Sequence, residues 1–275
     1  MNSGLARIVV AIVALPFVIA AIIYGSWYFF ALMGTILLIG ISEMLNLLRH
    51  KNSKPQTFSA FFWGLIFLGL TFFGKIEFLL SALFLFAIYT MTVELFRNTG
   101  SDMMNMAATW MTVFYPSLLI GSMILLRNTG ASESHSGAQL VFLVFLSIWA
   151  CDTFAYYGGR MMGKNKFFER VSPKKTWEGA ITGFFGALIG VWLVRYIYLT
   201  LDIPFIMSLP QTLVIGFFGG TFGQIGDLAE SLLKRDAGIK DSGALLPGHG
   251  GILDRFDSMM FVAPLTYIYV TYFVL

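Results

Sequence analysis

Long apolar runs of about 17 to 24 residues recur along this chain, and they constrain its fold more than any other feature. A helix of that length spans the apolar core of a bilayer. Charged residues make up only 12% of the chain, whereas soluble domains carry about a quarter. We therefore predict an all-α integral membrane protein with about nine transmembrane helices. The predicted segments are 7–25, 27–48, 58–74, 77–96, 106–126, 138–158, 179–200, 209–232 and 258–275.

The basic residues between these segments predict the orientation of the chain. With a cytoplasmic N-terminus, 15 of the 18 lysines and arginines fall on the cytoplasmic side, and Lys75, Arg127 and Arg195 fall on the other. Cytoplasmic connections carry an excess of Lys and Arg, so this asymmetry supports the orientation and the number of spans. The first segment also resembles a signal peptide, but the topology requires it as a retained helix. The polar connections at 159–178 and 233–257 then face the cytoplasm.

Composition excludes several other classes of protein. A net charge of +3 is too small to indicate a nucleic-acid partner, and a single cysteine, Cys151, cannot form an intrachain disulfide. No internal repeat or Pro-rich linker divides the chain. Because the polar residues that are candidates for catalysis concentrate late in the sequence, we divide it into N-terminal transmembrane helices, 1–137, and a C-terminal catalytic transmembrane half, 138–275.

The richest polar stretch runs from Ser231 to Asp257 and reads SLLKRDAGIKDSGALLPGHGGILDRFD. A solvated loop explains its basic residues but neither Pro-Gly-His-Gly-Gly at 247–251 nor Asp254 and Asp257. Glycines let backbone amides approach a phosphate closely. Carboxylates three residues apart share one face of a helix, where they suit Mg²⁺ that also binds phosphate oxygens. The stretch therefore predicts a phosphate and metal site.

Acidic residues also occur inside or beside apolar segments. Asp227, Glu230 and Lys234 have the spacing of one helical stripe, so they form either a functional group or an ion pair that closes the helix end. Asp152 lies deep in an apolar run, where we expect it to line a site and meet a cation. Glu43 and Glu94 lie near predicted helix ends, and we expect both at the membrane interface with structural roles.

The segment SPKKTWEG, Ser172 to Gly179, combines lysines and hydroxyls at the entrance to a predicted helix. Lys174 and Lys175 offer point charges, and Ser172 and Thr176 offer hydroxyl donors, beside the positive end of a helix dipole. This combination suits a polyphosphate, and it suits a lipid-headgroup patch equally well.

The Ser231–Asp257 stretch resembles the signature of phosphatidate cytidylyltransferases, also called CDP-diacylglycerol synthases. SPKKTWEG resembles a second block typical of that family, and the resemblance covers about 150–258. The earlier part of the chain is similar only in being hydrophobic and multi-spanning. The signature positions are Ser231, Lys234, Arg235, Lys240, Asp241, Pro247, His249, Gly250, Gly251, Asp254, Arg255 and Asp257.

The resemblance implies a nucleotidyltransferase of phospholipid biosynthesis that converts CTP and phosphatidic acid into CDP-diacylglycerol and pyrophosphate. It also implies a homodimer whose active site opens to the cytoplasm, and a divalent metal. The paired carboxylates favour Mg²⁺, with a second cation left open, and the short N-terminus suggests the bacterial plasma (inner) membrane. The catalytic residues would be Asp227, Asp254, Asp257, His249 and Arg255, with Asp227, Asp254, Asp257 and Asp152 as metal ligands. The substrate-binding residues would be Ser172, Lys174, Lys175, Thr176, Lys234, Arg235, Lys240, Asp241, Gly250 and Gly251.

Two rival functions are compatible with parts of this pattern. A CTP-dependent polyprenol or phytol kinase resembles these enzymes in parts of the C-terminal half, but the complete P-x-H-G-G-x-x-D-R-x-D pattern disfavours it. An ion-coupled secondary transporter would explain buried acids. However, transporters often show paired repeats with broken helices in both halves, whereas the polar residues here crowd into one half.

Overall fold

The computed structural model describes residues 3–130, 136–243 and 250–275, with side chains from residue 14 onward. The helices are α1 (Ser3–Tyr24), α2 (Ser26–Arg49), α3 (Thr57–Phe72), α4 (Leu79–Leu95), α5 (Asp102–Val113), α6 (Leu119–Asn128), α7 (Ser136–Met162), α8 (Trp177–Thr200), α9 (Leu209–Phe218), α10 (Gln224–Asp236) and α11 (Leu253–Phe273). A 3₁₀ turn, Ile76–Phe78, precedes α4, and π-helical turns join α5 to α6 (Phe114–Leu118) and α9 to α10 (Gly219–Gly223). Two short strands are β1 (Lys166–Phe168) and β2 (Ser172–Thr176).

Each predicted membrane segment overlaps helical structure. Segment 106–126 corresponds to α5, α6 and their π turn, and segment 209–232 corresponds to α9, α10 and theirs. Within the described ranges, five stretches are long and apolar enough to cross a bilayer. They are Ser26–Arg49, Ile76–Leu95, Asp102–Asn128, Ser136–Met162 and Trp177–Thr200. The chain is therefore a helical membrane protein, while nine crossings and a cytoplasmic N-terminus stay predictions.

Apolar side chains on the outside of the helices agree with a lipid environment. On α4, Leu80, Phe84 and Ile88 are all more than half exposed, at 60%, 61% and 63%. Side chains four residues apart lie on one face of a helix, so these three form an apolar stripe that water would not solvate favourably. The stripe is typical of a helix that faces lipid.

The connection predicted as a polar loop at 159–178 contains regular structure. The helix α7 continues to Met162, and β1 and β2 then pair antiparallel, with Lys166 opposite Thr176. The ring of Phe167 packs edge-on against Trp177 at a centroid distance of 4.6 Å. Pairing satisfies backbone groups that a loop would expose, and the aromatic contact anchors the hairpin to the start of α8.

Glycines allow α7 and α8 to pack closely along their length. A Cβ on Gly183 of α8 would lie 3.0 Å from the carbonyl oxygen of Cys151 and 2.9 Å from the Cβ of Ala155. The same close approach occurs at other glycines of this helix, namely Gly179, Gly186 and Gly190. Small residues let membrane helices approach backbone to backbone, where dispersion contacts hold them together.

The described helices form two compact units. The first contains residues up to 125 together with 233–255, and the second contains 126–232 together with 256–275. The first unit therefore carries most of the Ser231–Asp257 stretch, and the second carries α7, the hairpin, α8 and Asp227.

The first unit contains a buried polar network around Glu94, whose expected position at the membrane interface stays a prediction. Glu94 is only 3% exposed. Its carboxylate accepts hydrogen bonds from Gln56 at 2.8 Å and Asn105 at 2.9 Å, and Arg97 lies 2.8 Å away. A buried carboxylate needs such donors to replace water. The network ties the turn before α3 to the end of α4 and to α5, which is a structural role.

Candidate functional site

The second unit contains a cavity of about 390 Å³, with charged side chains in its wall, between the end of α7, the hairpin, the start of α8 and α10. Its walls include five residues selected from the sequence. The lining residues are Asp152, Ala155, Tyr156, Gly159, Arg160, Phe167, Lys174, Lys175, Thr176, Gly179, Ala180, Gln224 and Asp227. The structure therefore brings together SPKKTWEG, Asp152 and Asp227, which are up to 75 residues apart in sequence.

An ion pair between Lys175 of β2 and Asp227 of α10 crosses this cavity. Nζ of Lys175 lies 2.7 Å from Oδ2 of Asp227, and the hydroxyl of Ser231 donates to Oδ1 at 3.3 Å. The predicted alternative, in which Asp227 pairs with Lys234, is wrong for Asp227. The two side chains are 26% and 34% exposed, so both groups remain open to an incoming ligand.

The start of α8 is fixed by two side chains of SPKKTWEG. Thr176 is the N-cap, and its Oγ1 accepts a hydrogen bond from the amide of Gly179 at 3.2 Å. Glu178 accepts from the amides of Lys164 and Asn165 at 3.1 and 3.3 Å and from Nδ2 of Asn165 at 2.7 Å. These contacts connect the base of the hairpin to the helix, so Lys174 and Lys175 are presented to the cavity on a fixed element.

Two carboxylates in the cavity fit a hard cation. Asp152 and Asp227 line the same space as the lysines, and Mg²⁺ is held in proteins by one or two carboxylates plus substrate phosphates. The described residues contain no group of three or more His, Cys, Asp or Glu side chains arranged for a metal ion. The donor set therefore fits an ion that is completed by phosphate oxygens and water rather than a cage made only of protein.

Sequence reasoning missed Gln224, which joins the cavity wall to two helices. Its Nε2 donates to the carbonyl of Ala180 at 3.0 Å and to that of Gly220 at 2.6 Å. The backbone at Gly220 is π-helical, and a Cβ there would lie 2.9 Å from Cα of Phe184. A Gly-rich π turn just before an acidic residue is the sequence signal that could have indicated this wall.

An apolar groove of about 300 Å³ adjoins this cavity in the second unit. The two spaces share Phe167, Ala180 and Gln224 as lining residues. Its other lining residues are Trp177, Ile181, Phe184, Gly220, Thr221 and Ile225. The arrangement offers a charged compartment next to an apolar one, as an amphipathic ligand requires.

In the first unit, Asp254 contacts residues from both ends of the signature stretch. Its Oδ1 pairs with Lys234, and its Oδ2 accepts from the amides of Ser242 at 2.9 Å and Gly251 at 2.8 Å. The hydroxyl of Ser242 lies 3.0 Å from the same oxygen. The side chains of Lys234 and Asp254 are only 8% and 10% exposed. This cluster draws the two ends of the signature together.

The hydrogen bonds of Asp254 also set its acidity. Burial alone would raise the pKa of this carboxyl group, because the charged form loses water. Donation from Lys234 and from the Gly251 and Ser242 amides, together with the charge of Lys234, outweighs burial and holds the pKa of Asp254 below its ordinary value.

Glu43 of α2 also contacts the signature, while its expected position at the membrane interface stays a prediction. It is 5% exposed. Its two oxygens accept from the amides of Ile252 and Leu253, each at 2.9 Å, and from the hydroxyl of Ser242 at 2.9 Å. An acid within the apolar run ISEML was the available signal, because an ionisable group in a membrane segment is a functional candidate by default.

The remaining predicted residues occupy separate positions. Ser172 begins β2 and is half-buried, whereas Lys240, Asp241 and Arg255 are exposed. Arg235 is exposed and donates to the carbonyl of Ile239 at 3.1 Å. Gly250 adopts the left-handed region at φ 79°. In the second unit, Asp257 is buried and accepts from the amide of Ser258 at 2.6 Å. The predicted role of His249 lies outside the described residues.

Comparison with known proteins gives the family of this helical membrane protein. A family model described as "Cytidylyltransferase family" matches residues 5–273. The chain is 37% identical to a phosphatidate cytidylyltransferase of Staphylococcus aureus (strain COL), over 94% of this chain and 96% of the relative. It is 31% identical to a protein of the same name from Synechocystis sp., over 96% and 95%.

The chain therefore belongs to the cytidylyltransferase family. The resemblance predicted from two motifs is confirmed, and it extends beyond the expected 150–258 to nearly the whole chain. A secondary transporter is thereby set aside in favour of an enzyme.

Proposed function

We propose that this protein is a phosphatidate cytidylyltransferase, which converts CTP and phosphatidic acid into CDP-diacylglycerol and pyrophosphate. The observation that carries the proposal is the cavity in which Lys174, Lys175 and Thr176 face Asp152 and Asp227. Relatives that carry this name and match over nearly their full length support the substrate assignment. The adjoining apolar groove supports a lipid as the acceptor.

In the proposed reaction, a phosphate oxygen of phosphatidic acid attacks the α-phosphorus of CTP in line. The bond from the α-phosphorus to the bridging oxygen breaks, and pyrophosphate leaves with that oxygen. The attacking phosphate is already an anion, so the step needs no strong base. What it needs is positive charge around several phosphate oxygens and a fixed approach angle.

The residues of SPKKTWEG supply that charge and orientation. Lys174 and Lys175 offset phosphate charge as point charges on β2. The Oγ1 of Thr176 accepts from Gly179 as the helix cap, which leaves its hydroxyl hydrogen for a phosphate oxygen. The positive end of the α8 dipole lies at the same place and favours an anion.

Asp152 and Asp227 would hold Mg²⁺ in the cavity. When bound, Mg²⁺ supplies charge stabilisation to the transferring phosphoryl group and to the leaving pyrophosphate. Asp227 has a second task, because its ion pair holds Lys175 in position before a nucleotide arrives. The metal-binding roles of Asp254 and Asp257, and the presence of a second cation, stay predictions.

The apolar groove would take part of a phosphatidic acid acyl chain while the headgroup enters the cavity. Phe167, Ala180 and Gln224 line both spaces, so a headgroup and its chain have a continuous path. The groove offers the acyl chain an apolar environment similar to that of the bilayer, so the chain need not enter water when the headgroup reaches the cavity. We also propose a plasma-membrane location with the cavity open to cytoplasmic CTP, and a homodimeric assembly. The concentration of basic residues at 159–178 and 233–257 supports the orientation.

Labelled CTP tests this function directly. The purified protein is incubated with Mg²⁺, phosphatidic acid and CTP labelled at either the α- or the γ-phosphate. A cytidylyltransferase moves only the α-label into the lipid, whereas a CTP-dependent lipid kinase moves only the γ-label. Transfer of the γ-label, or of neither, contradicts the proposal.

A pair of lysine variants tests the location of the site. Lys175→Met removes a cation from the cavity and should lower α-label transfer by about 10²-fold or more. Lys164→Met removes an exposed cation just before the hairpin that does not line the cavity, so it is the matched control. Equal activity of the two variants would remove the cavity from the mechanism.

A further inference from the structure

Glu43 is a buried carboxylate whose contacts lie about 200 residues away in sequence, in the signature stretch of the same unit. Oε1 accepts from the amide of Ile252, and Oε2 accepts from the amide of Leu253 and the hydroxyl of Ser242, all at 2.9 Å. These distances are those of normal hydrogen bonds, and two acceptors serve three donors.

These contacts cap the helix α11 from outside. The helix begins at Leu253, and the first amides of a helix have no partner within it. Local side chains usually satisfy them, but here a residue of α2 does so. A negative charge at this end also interacts favourably with the helix dipole. Glu43 therefore determines where α11 begins.

The backbone of the signature is adapted to this carboxylate. A Cβ on Gly243 would lie 2.9 Å from Cδ of Glu43, and a Cβ on Gly251 would lie 2.8 Å from the same atom. Real Cβ atoms do not approach other atoms so closely, so both positions need glycine for Glu43 to reach the amides.

Glu43 is also linked to Asp254 through Ser242. The hydroxyl of Ser242 lies 2.9 Å from Oε2 of Glu43 and 3.0 Å from Oδ2 of Asp254. Asp254 in turn takes the amides of Gly251 and Ser242. The two carboxylates together hold three successive amides, 251 to 253, at the point where the signature enters α11. Because these amides are consecutive, we expect a shift of one carboxylate to displace the amides that the other carboxylate holds.

We propose that Glu43 is a positioning residue for the transfer reaction, acting through Ser242 and the amides of Ile252 and Leu253. This proposal depends on the proposed function only where it predicts a change in the rate of transfer. In this role Glu43 acts through the groups that it holds rather than by contact with the substrate. It fixes the first turn of α11, which carries Asp254 and Arg255, and a displacement of about 1 Å in such a group can lower a rate about 10²-fold.

Glu94 provides the matched control, because it differs from Glu43 in what it holds. Both carboxylates are buried in the first unit, at 3% and 5% exposure, and each has three donor residues. The partners of Glu94, however, are Gln56, Arg97 and Asn105, none of which belongs to the signature. A purely structural role for Glu43 predicts that both substitutions behave alike.

The experiment compares Glu43→Gln, Glu43→Asp and Glu94→Gln in the full-length protein. Gln keeps the shape of Glu but presents one NH₂ group towards an amide donor. Thermal stability, kcat and the KM for CTP are measured with phosphatidic acid and Mg²⁺. We expect Glu43→Gln to lose about 10- to 100-fold in kcat with KM changed by less than about threefold. Glu43→Asp should recover part of that loss, and Glu94→Gln should keep its kcat despite a similar loss of thermal stability.

Hydrogen exchange provides a readout that does not depend on activity. Amides 250–255 should exchange faster in Glu43→Gln than in wild type, and at the wild-type rate in Glu94→Gln. Unchanged exchange, or equal kcat in Glu43→Gln and Glu94→Gln, overturns the positioning role. A wild-type protein that makes no CDP-diacylglycerol would instead overturn the proposed function, and the exchange rates would still decide whether Glu43 holds α11.

Discussion

Each unit contains a glutamate that accepts hydrogen bonds from two successive backbone amides of a polar segment. The two glutamates differ in their burial and in how far along the sequence those amides lie. Glu178 in the second unit takes the amides of Lys164 and Asn165, which lie 14 and 13 residues before it. Glu43 in the first unit takes the amides of Ile252 and Leu253, 209 and 210 residues after it. Glu43 is 5% exposed, whereas Glu178 is partly open to solvent.

Burial decides what the loss of each carboxylate would do. Amides that lose a partner near solvent can bind water instead, so the hairpin at Glu178 has a substitute available. Buried amides have none, and each carries the full penalty of an unsatisfied donor. The comparison indicates that the first unit depends on Glu43 for its stability, whereas the second unit uses Glu178 to refine a segment that β pairing already forms.

The largest expected effect separates these two glutamates. Glu43→Ala leaves the buried amide of Leu253 and the part-buried amide of Ile252 without their acceptor, and should lower the free energy of unfolding by about 3 kcal/mol. Glu178→Ala should leave the unfolding transition nearly unchanged. Thermal unfolding of both variants in the same detergent measures the difference. Equal destabilisation would mean that burial does not distinguish them.

The two ion pairs extend the comparison. Lys234 and Asp254 are about 10% exposed or less, whereas Lys175 and Asp227 are 26% and 34% exposed. Asp254→Asn breaks a buried pair and should destabilise the protein by about 3 kcal/mol. Asp227→Asn should change stability little yet reduce transfer by orders of magnitude, because it removes the proposed metal ligand and the partner of Lys175. Unfolding and initial-rate measurements on both variants test this, and a stable Asp254→Asn protein would contradict it.

Acid should weaken the first unit through Asp254. Its pKa is lower folded than unfolded, so the ionised carboxylate contributes stability above its unfolded pKa, about 3.9. That contribution is lost as the pH falls below about 4 and through the still lower folded value. Melting temperatures at a series of pH values should fall more steeply below pH 4 in wild type than in Asp254→Asn. Parallel curves would show that Asp254 is not responsible.

The smallest expected effect concerns the hairpin. Asn165→Ala removes the side-chain donor to Glu178 but keeps the backbone donor. We expect the KM for CTP to rise by about two- to fivefold, with kcat and stability near wild type, because Lys174 and Lys175 are held less firmly. A large loss of kcat would mean that the hairpin contact at Glu178 matters to the reaction as much as the buried cluster of the first unit does.

Sequence reasoning succeeded where periodicity and local spacing determine structure. The apolar runs predicted the helices, and the spacing of Asp227 and Lys234 placed both on one helix, now α10. It failed where partners are distant. Nothing local to Glu43 or Glu94 identifies the distant amides and side chains that surround them, so their burial among these partners was not predicted. The hairpin was missed because two strands of three and five residues have too little pattern to distinguish them from a loop.

The central claim is that the cavity of the second unit transfers CMP from CTP to phosphatidic acid. The most direct measurement is the stoichiometry of products from the purified protein with CTP, phosphatidic acid and Mg²⁺, run beside Asp227→Asn. The account predicts equal amounts of CDP-diacylglycerol by mass spectrometry and pyrophosphate by enzymatic assay in wild type, and almost none of either in the variant. CDP released without CDP-diacylglycerol, or full activity in Asp227→Asn, would contradict it.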